Sequence, residues 1–448
     1  MNARVLLVRI FFIVALLAAI AACGQENYVP VEVLPAYNHS QDAEVVEVVE
    51  VLEQQDEFRF GVLPSLHVSL PAADLHRHEW RDGYVSLTGA GEHSFDPVDA
   101  RIRGRGNSTW RYMGEKRPLR FRFSTPQPMF GTEYAARDWT LIANAMDFSL
   151  MRNASAYFLG SLLSGFDFTP GHWFVHLYMD GEYRGVYMLS DQVQVLDGRV
   201  NLTAHDDPTL SEYFLEWCRH PKSDEDVYFR VGFYGVPFEM TYPDPASPAH
   251  VYFANDFMNQ VDDAFRSLNF HALENLIDLH SFVDFYLVNE FFKNSDSGFS
   301  SLFFQIRQSP QGPRLFAGPL WDFDQSSGGS FAHGWFTDYR PERLWAAITN
   351  HWFLSLVRMP QTREMIADRW REIREDEIPA LLSFVENFTA FYRPCLERNF
   401  ERWPDKLGNY LWRTPPSVSA IATHEGQVEY LLNWFRRRVI WMDGFLLV

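Results

Sequence analysis

Cysteine is scarce in this chain: three residues in 448, at Cys23, Cys218 and Cys395, with no CxxC pair and no histidine-rich spacing around them. That excludes a disulfide-stapled scaffold and the common structural zinc arrangements. Positive charge is short as well. With 39 Lys+Arg against 58 Asp+Glu, the formal net charge is -19, which disfavours a partner such as DNA or RNA, whose phosphate backbone is bound by cations that displace counterions. A P-loop or GxGxxG glycine spacing is missing too. What the chain does have is apolar material, at 47% hydrophobic and 16% aromatic residues. That is ample for a large packed core and excludes disorder of the whole chain; at roughly 150 residues per domain it suggests about two or three units.

Arg4 and Arg9 precede an apolar run over residues 10–22, too short to span a bilayer as a mature helix but suited to a signal-peptide core. Ile20-Ala21-Ala22-Cys23 is similar to the lipobox of bacterial lipoproteins, which implies a signal peptide over 1–22, lipid attached to Cys23, and sorting to the outer membrane if the cell has two. Residues 24–58 then carry nine carboxylates and no Lys or Arg, so 23–58 reads as an acidic tether. It could reach roughly 115 Å fully extended, enough to hold the body clear of a cell-envelope membrane. With Cys23 lipidated, Cys218 and Cys395 are left as one disulfide or as two buried thiols.

Short bursts of alternation between Phe60 and Ser124 predict antiparallel sheet. A helix is expected from Asp147 to Leu159, with an acidic or hydroxyl cap. Trp173–Tyr178 and Gly185–Leu189 read as strands joined through Asp180-Gly181, a strong hairpin pair. From Pro248 onward the periodicity is mainly helical, over 251–268, 281–292, 345–356, 360–374, 378–402 and 427–447. The fold class is therefore α+β, a β-rich part over 59–247 and a helical part over 248–448, with a cleft expected between them.

Three constellations stand out for chemistry. Arg101-Ile-Arg-Gly-Arg-Gly-Asn-Ser-Thr109, followed by Lys116-Arg-Pro-Leu-Arg120, puts glycines and hydroxyls beside cations, which suits either an anion or a glycine-rich turn. Asn294-Ser-Asp296 follows an apolar helix and reads as a cap, a turn or a reactive acid. Asp322 and Asp324, in Trp321-Asp-Phe-Asp324 after the strand-like Arg314–Ala317, would share one side of an extended segment. Like charges so placed need a cation between them or a shifted pKa, so the pair suits either a metal site or a capped turn.

Together, and in this order, these segments resemble the CotH (spore coat protein H) kinase family. Arg103-Gly-Arg-Gly-Asn-Ser108 with Lys116 resembles its "RGNSS then KK" strand pair. Trp139-Thr-Leu-Ile142 with Asp147 and Arg152-Asn153 is similar to "W-x-L... D... RN". Asp180-Gly-Glu-Tyr-Arg-Gly-Val-Tyr187 matches "NGxYxGxY", Tyr213-Phe-Leu-Glu216 "YLLE", and Trp321-Asp-Phe-Asp324 "WDxD". Leu431–Arg438 looks like the closing "L-x-x-W-x-x-x-R". The likeness spans roughly 60–448.

The resemblance implies an atypical protein-kinase-like bilobal fold that binds ATP and Mg²⁺, or Mn²⁺, and transfers a phosphoryl group to Ser or Thr of a cell-surface or extracellular protein. Asp296 would be the catalytic acceptor of the hydroxyl proton. Asp322, Asp324 and Ser301 would hold metal, and Arg103, Asn107, Ser108, Lys116 and Arg152 would face the nucleotide, with Arg152 alternatively a partner of Asp147. Two residues depart from the pattern. Ser301 stands where an Asn is usual, and Asp191 where Glu is more frequent. These departures keep open a catalytically inactive pseudokinase serving as a surface scaffold or binding module, or nucleotidyl transfer.

Overall fold

The computed structural model describes residues 60–219, 227–330 and 339–447. The signal peptide, Cys23 and the tether lie outside them. Seven strands close into a barrel: β1 (Ser65–Val68), β2 (Arg81–Thr88), β3 (Phe95–Gly104), β4 (Leu119–Gln127), β5 (Ala136–Ile142), β6 (Trp173–Met179) and β7 (Glu182–Asp191), in the order β1-β2-β3-β4-β5-β7-β6. All neighbours are antiparallel except β1 and β6, whose parallel pairing closes the ring, Ser65 opposite His176. Period-two alternation decides what points inward. On β4, Leu119, Phe121 and Phe123 are buried while Arg120 and Arg122 face outward, and β3 buries Ile102 between Arg101 and Arg103. Trp139, Leu141, Leu177 and Leu189 complete that core. The expected hairpin forms, Asp180 and Gly181 both taking positive φ (48° and 79°), as a two-residue turn of this kind requires.

A second sheet contains β8 (Tyr213–Trp217), β9 (Val227–Val231), β10 (Val236–Tyr242), β11 (Leu302–Arg307) and β12 (Arg314–Ala317), ordered β12-β11-β8-β10-β9. It joins strands from both sides of residue 247, so its β8 is buried along its whole length. The longer helices are α1 (Arg152–Leu162), α2 (Pro248–Arg266), α3 (Leu279–Phe292), α4 (His351–Arg358), α5 (Pro360–Glu375), α6 (Glu377–Phe391), α7 (Arg393–Arg402) and α8 (His424–Leu446); α2 packs on β9 and α3 on β12 of this sheet, whereas α7 packs on β7 of the barrel. The chain is thus a mixed α+β protein, with helices concentrated in its C-terminal part.

Several boundaries differ from the sequence reading for local reasons. Asp147 does not cap a helix that begins beside it. Residues 147–151 form turns, and α1 starts at Arg152, whose backbone N–H donates to the Asp147 carboxylate (2.7 Å). The segment 378–402 breaks after Phe391 because Pro394 cannot sit in a helix interior and instead occupies the first turn of α7. The segment 345–356 breaks at Asn350, whose side chain accepts from the N–H groups of Trp352 and Phe353 and caps α4. Helix α3 is apolar on nearly all sides and buried accordingly. Cys218 and Cys395 are two buried thiols with no disulfide between them. Among the described residues no helix is long and apolar enough to cross a membrane.

Candidate functional site

Helix α3 ends at Lys293 in the left-handed conformation (φ 47°), which turns the chain into Asn294-Ser-Asp296. That turn is held from several sides. Asn294 donates to Asn289 (3.1 Å) and accepts from the N–H of Asp296 (3.1 Å), and its carbonyl accepts from the Trp345 indole (2.6 Å). Ser297 is bonded to Thr349 and Asn350. At Gly298 a Cβ would lie 2.0 Å from the Thr349 carbonyl oxygen, so only glycine lets the loop seat there. Beneath it, Arg438 of α8 forms a fully buried ion pair with Glu290 and donates to the carbonyls of Glu290, Pro341 and Arg343. This accounts for the closing motif: its arginine braces the end of α3.

The Trp321–Gln325 loop is fixed by α1. Contrary to the extended segment expected, Asp322 is left-handed (φ 65°), because the backbone donors of Asp322 and Phe323 go to α1 and not to a strand ladder. The Asp322 N–H points at the Tyr157 hydroxyl (3.4 Å) and the Phe323 N–H donates to Asn153 Oδ1 (2.7 Å). Arg152 is wholly buried. It pairs with Asp147 and donates to the carbonyls of Ser326 (3.0 Å) and Ser327 (3.4 Å). Of its two expected roles, the structure thus assigns Arg152 the partnership with Asp147, and it locks the acidic loop to α1. Ser301 is also left-handed (φ 61°) and its hydroxyl donates to Asp322 (3.3 Å). Non-glycine residues in this region are costly and cluster where function demands them.

The two loops bring Asp296, Asp322 and Asp324 into electrostatic contact. Loss of solvent, then the charge of Asp296, pushes the Asp322 carboxyl up to about 6, with Arg105 and the Ser301 hydroxyl working in the opposite direction. Burial, then Asp322, Asp296 and Asp147, raises Asp324 well above the ordinary carboxylate range. Several hard oxygen donors that repel one another fit a divalent cation such as Mg²⁺ or Mn²⁺. Glu216 adds to the pressure on Asp322. With Cys218 and Glu239 it forms a buried group whose ligand atoms lie within 4.8 Å of one another.

The glycine-rich turn meets this site from the barrel. Ser108 Oγ accepts from Gln325 of the acidic loop (3.5 Å), and Asn107 accepts from Arg77 (3.4 Å) on the outer side. The barrel cation facing the acids is Arg105, stacked over the Trp321 ring (5.3 Å), and not Arg103. Because β3 ends at Gly104, residues 103 and 105 point to different surroundings, and Arg103 lies over Trp80 (4.8 Å). The motif itself held the missed signal, since Arg105, not Arg103, precedes Gly106-Asn107-Ser108. Arg413, also in electrostatic contact with Asp296, sits in an irregular stretch with no periodicity to flag it. Asp191 is a structural hub, accepting from Tyr134, Gly171 and Arg199.

Lys116 is buried (1% exposed) over the Tyr187 ring, toward Asp147 and Lys406. Burial, then the Lys406 charge, lowers its ammonium to about 7 against the opposing pull of Asp147. Unfolding restores the normal value, so between about pH 7 and 10 the unfolded chain holds a proton that the folded chain has released. Stability contributed by this group therefore rises with pH across that window. We expect the unfolding free energy of the native chain, measured against Lys116→Met, to climb by up to about 1.4 kcal/mol per pH unit there. A difference that stays flat would dismiss the buried amine.

The family model described as CotH kinase protein matches residues 102–442, from β3 to the penultimate turn of α8. Curated proteins give no significant match.

Proposed function

Because the chain belongs to the CotH kinase family, we propose that it is an atypical kinase that binds ATP with Mg²⁺ or Mn²⁺ and phosphorylates Ser or Thr of a cell-surface or extracellular protein. The observation that carries this reading is the convergence of Asp296, Asp322 and Asp324, from two separate loops, on the turn that bears Arg105 and Ser108. The kinase-like bilobal arrangement belongs to the same proposal. Phosphoryl transfer asks mainly for positioning and charge neutralisation. Asp322 and Asp324, helped by Ser301, would hold the cation, which when bound neutralises phosphate charge. Arg105 would face the phosphates, with Ser108 and Asn107 on the covering turn and Lys116 behind it near Asp147. Asp296 would take the proton of the substrate hydroxyl as its oxygen bonds to the γ-phosphorus and the bond to the β,γ-bridging oxygen breaks.

We further propose export and lipid anchoring through Cys23, which leaves the nucleotide source outside the cytoplasm. Calorimetry with ATP and Mg²⁺ or Mn²⁺, comparing the native chain with Asp322→Asn, tests the reading. Metal-dependent binding that the substitution weakens at least about tenfold is expected. No nucleotide binding by the native chain would sink it. Label delivered from the α- and not the γ-phosphate would make the chemistry nucleotidyl transfer, and binding without transfer would leave a pseudokinase.

A further inference from the structure

On the outer wall of the barrel four arginines surround one indole. The guanidinium carbons of Arg101, Arg103, Arg120 and Arg122 lie 5.5, 4.8, 5.8 and 5.3 Å from the Trp80 ring centroid. The register of β3 against β4 creates the cluster, with Arg101 opposite Arg122 and Arg103 opposite Arg120. Only one carboxylate is built in. Asp138 of β5 takes both Arg120 (2.7 Å) and Arg122 (2.9 Å). Arg101 and Arg103 form no ion pair with a described residue, and the buried Nε of Arg103 has no hydrogen-bond partner. Asp82, opposite Arg101 in the β2–β3 register, and Asp99, two residues before Arg101 on the same face of β3, are the neighbouring acids, and both are exposed. Like charges directly opposite across strands are destabilising, and here two such pairs are stacked in a chain whose overall charge is strongly negative.

We propose that this face is a docking surface for an acidic, extended segment of a partner polypeptide. Arg101 and Arg103 are two residues apart on one strand, so their stems repeat at roughly 6.6 Å, the spacing of same-side residues in an extended peptide. Alternate carboxylates on such a peptide can each meet a guanidinium fork. Trp80 supplies an apolar floor and holds the cations over its face. The barrel is closed, so the partner is recognised through side chains and not by adding a strand. A nucleic acid would have to overcome the net charge of -19 around so small a patch.

Fluorescence anisotropy with the full chain tests this, using a labelled peptide of alternating glutamate and serine beside one of alternating lysine and serine. The glutamate peptide is expected to bind, more weakly as salt rises, and Arg101→Ser with Arg103→Gln to weaken it about tenfold or more. The thermal midpoint should hold, since neither side chain forms an ion pair with a described residue and the contact each gives up on Trp80 is offset by relief of the like charges opposite it. Asp322→Asn should keep the peptide affinity, so a failure of the kinase reading leaves this surface standing. Equal binding by the double variant, equal binding of the lysine peptide, loss of binding in Asp322→Asn, or binding of inorganic phosphate or anionic vesicles without the glutamate peptide would each overturn the proposal.

Discussion

Asp296→Asn is expected to lower the turnover of phosphoryl transfer by about 10²- to 10⁴-fold while leaving nucleotide affinity nearly unchanged. General-base assistance is worth that much where a positioned carboxylate takes the proton. The amide keeps the size and the turn of Asn294-Ser-Asp296, whose backbone bonds do not depend on the carboxylate, so the loss would be chemical and not structural. The split between turnover and affinity carries the diagnosis. Asp322→Asn should strike metal-dependent nucleotide binding, whereas Asp296→Asn should strike the chemical step. If Asp296→Asn weakens ATP binding as much as Asp322→Asn does, Asp296 is a metal ligand and its assignment as proton acceptor falls. Steady-state rates and calorimetry on the same preparations decide it.

The second large effect is on stability. Arg438 and Glu290 are 0% and 1% exposed at their side chains, and Glu290 also accepts the backbone N–H groups of Trp345 (2.7 Å) and Ala347 (3.0 Å). Arg438→Met strands a buried carboxylate and removes the donors from the carbonyls of Pro341 and Arg343. Breaking one partner of a buried pair costs about 3–5 kcal/mol, and a loss of that size should appear in denaturant unfolding of the full chain. A change under about 1 kcal/mol, the scale of an exposed pair, would show that the ion pair does not brace α3. Since α3 leads directly into the Asp296 turn, activity should fall at temperatures below the main unfolding transition.

Much of this was legible in the sequence. Alternation located barrel strands β1 to β4, Asp180-Gly181 fixed the β6–β7 hairpin, 3.6-residue periodicity placed the C-terminal helices, and the ordered motifs identified the family. These signals are local. A hairpin turn depends on two residues, a buried face on a repeat, a motif on its neighbours. The positions of Asp296 and Asp322 as acids of interest were legible for the same reason.

What the sequence did not contain is which side chains meet. Arg103 and Arg105 are equal as letters, and only the end of β3 at Gly104 sends one to Trp80 and the other to Trp321. Arg152 was open to two roles until its guanidinium was seen spent on Asp147, Ser326 and Ser327. Asp322 read as extended, yet α1 captures the backbone donors of Asp322 and Phe323 and the chain turns left-handed at Asp322. The sequence by itself determined most barrel strands, most C-terminal helices and the family, because periodicity, turns and motifs act over a few residues, whereas β9, β10 and β11 of the second sheet went unread. The tertiary structure alone decided which cation faces the acids and which serves the scaffold, because that depends on barrel closure, strand register and helix contacts between residues far apart in the chain.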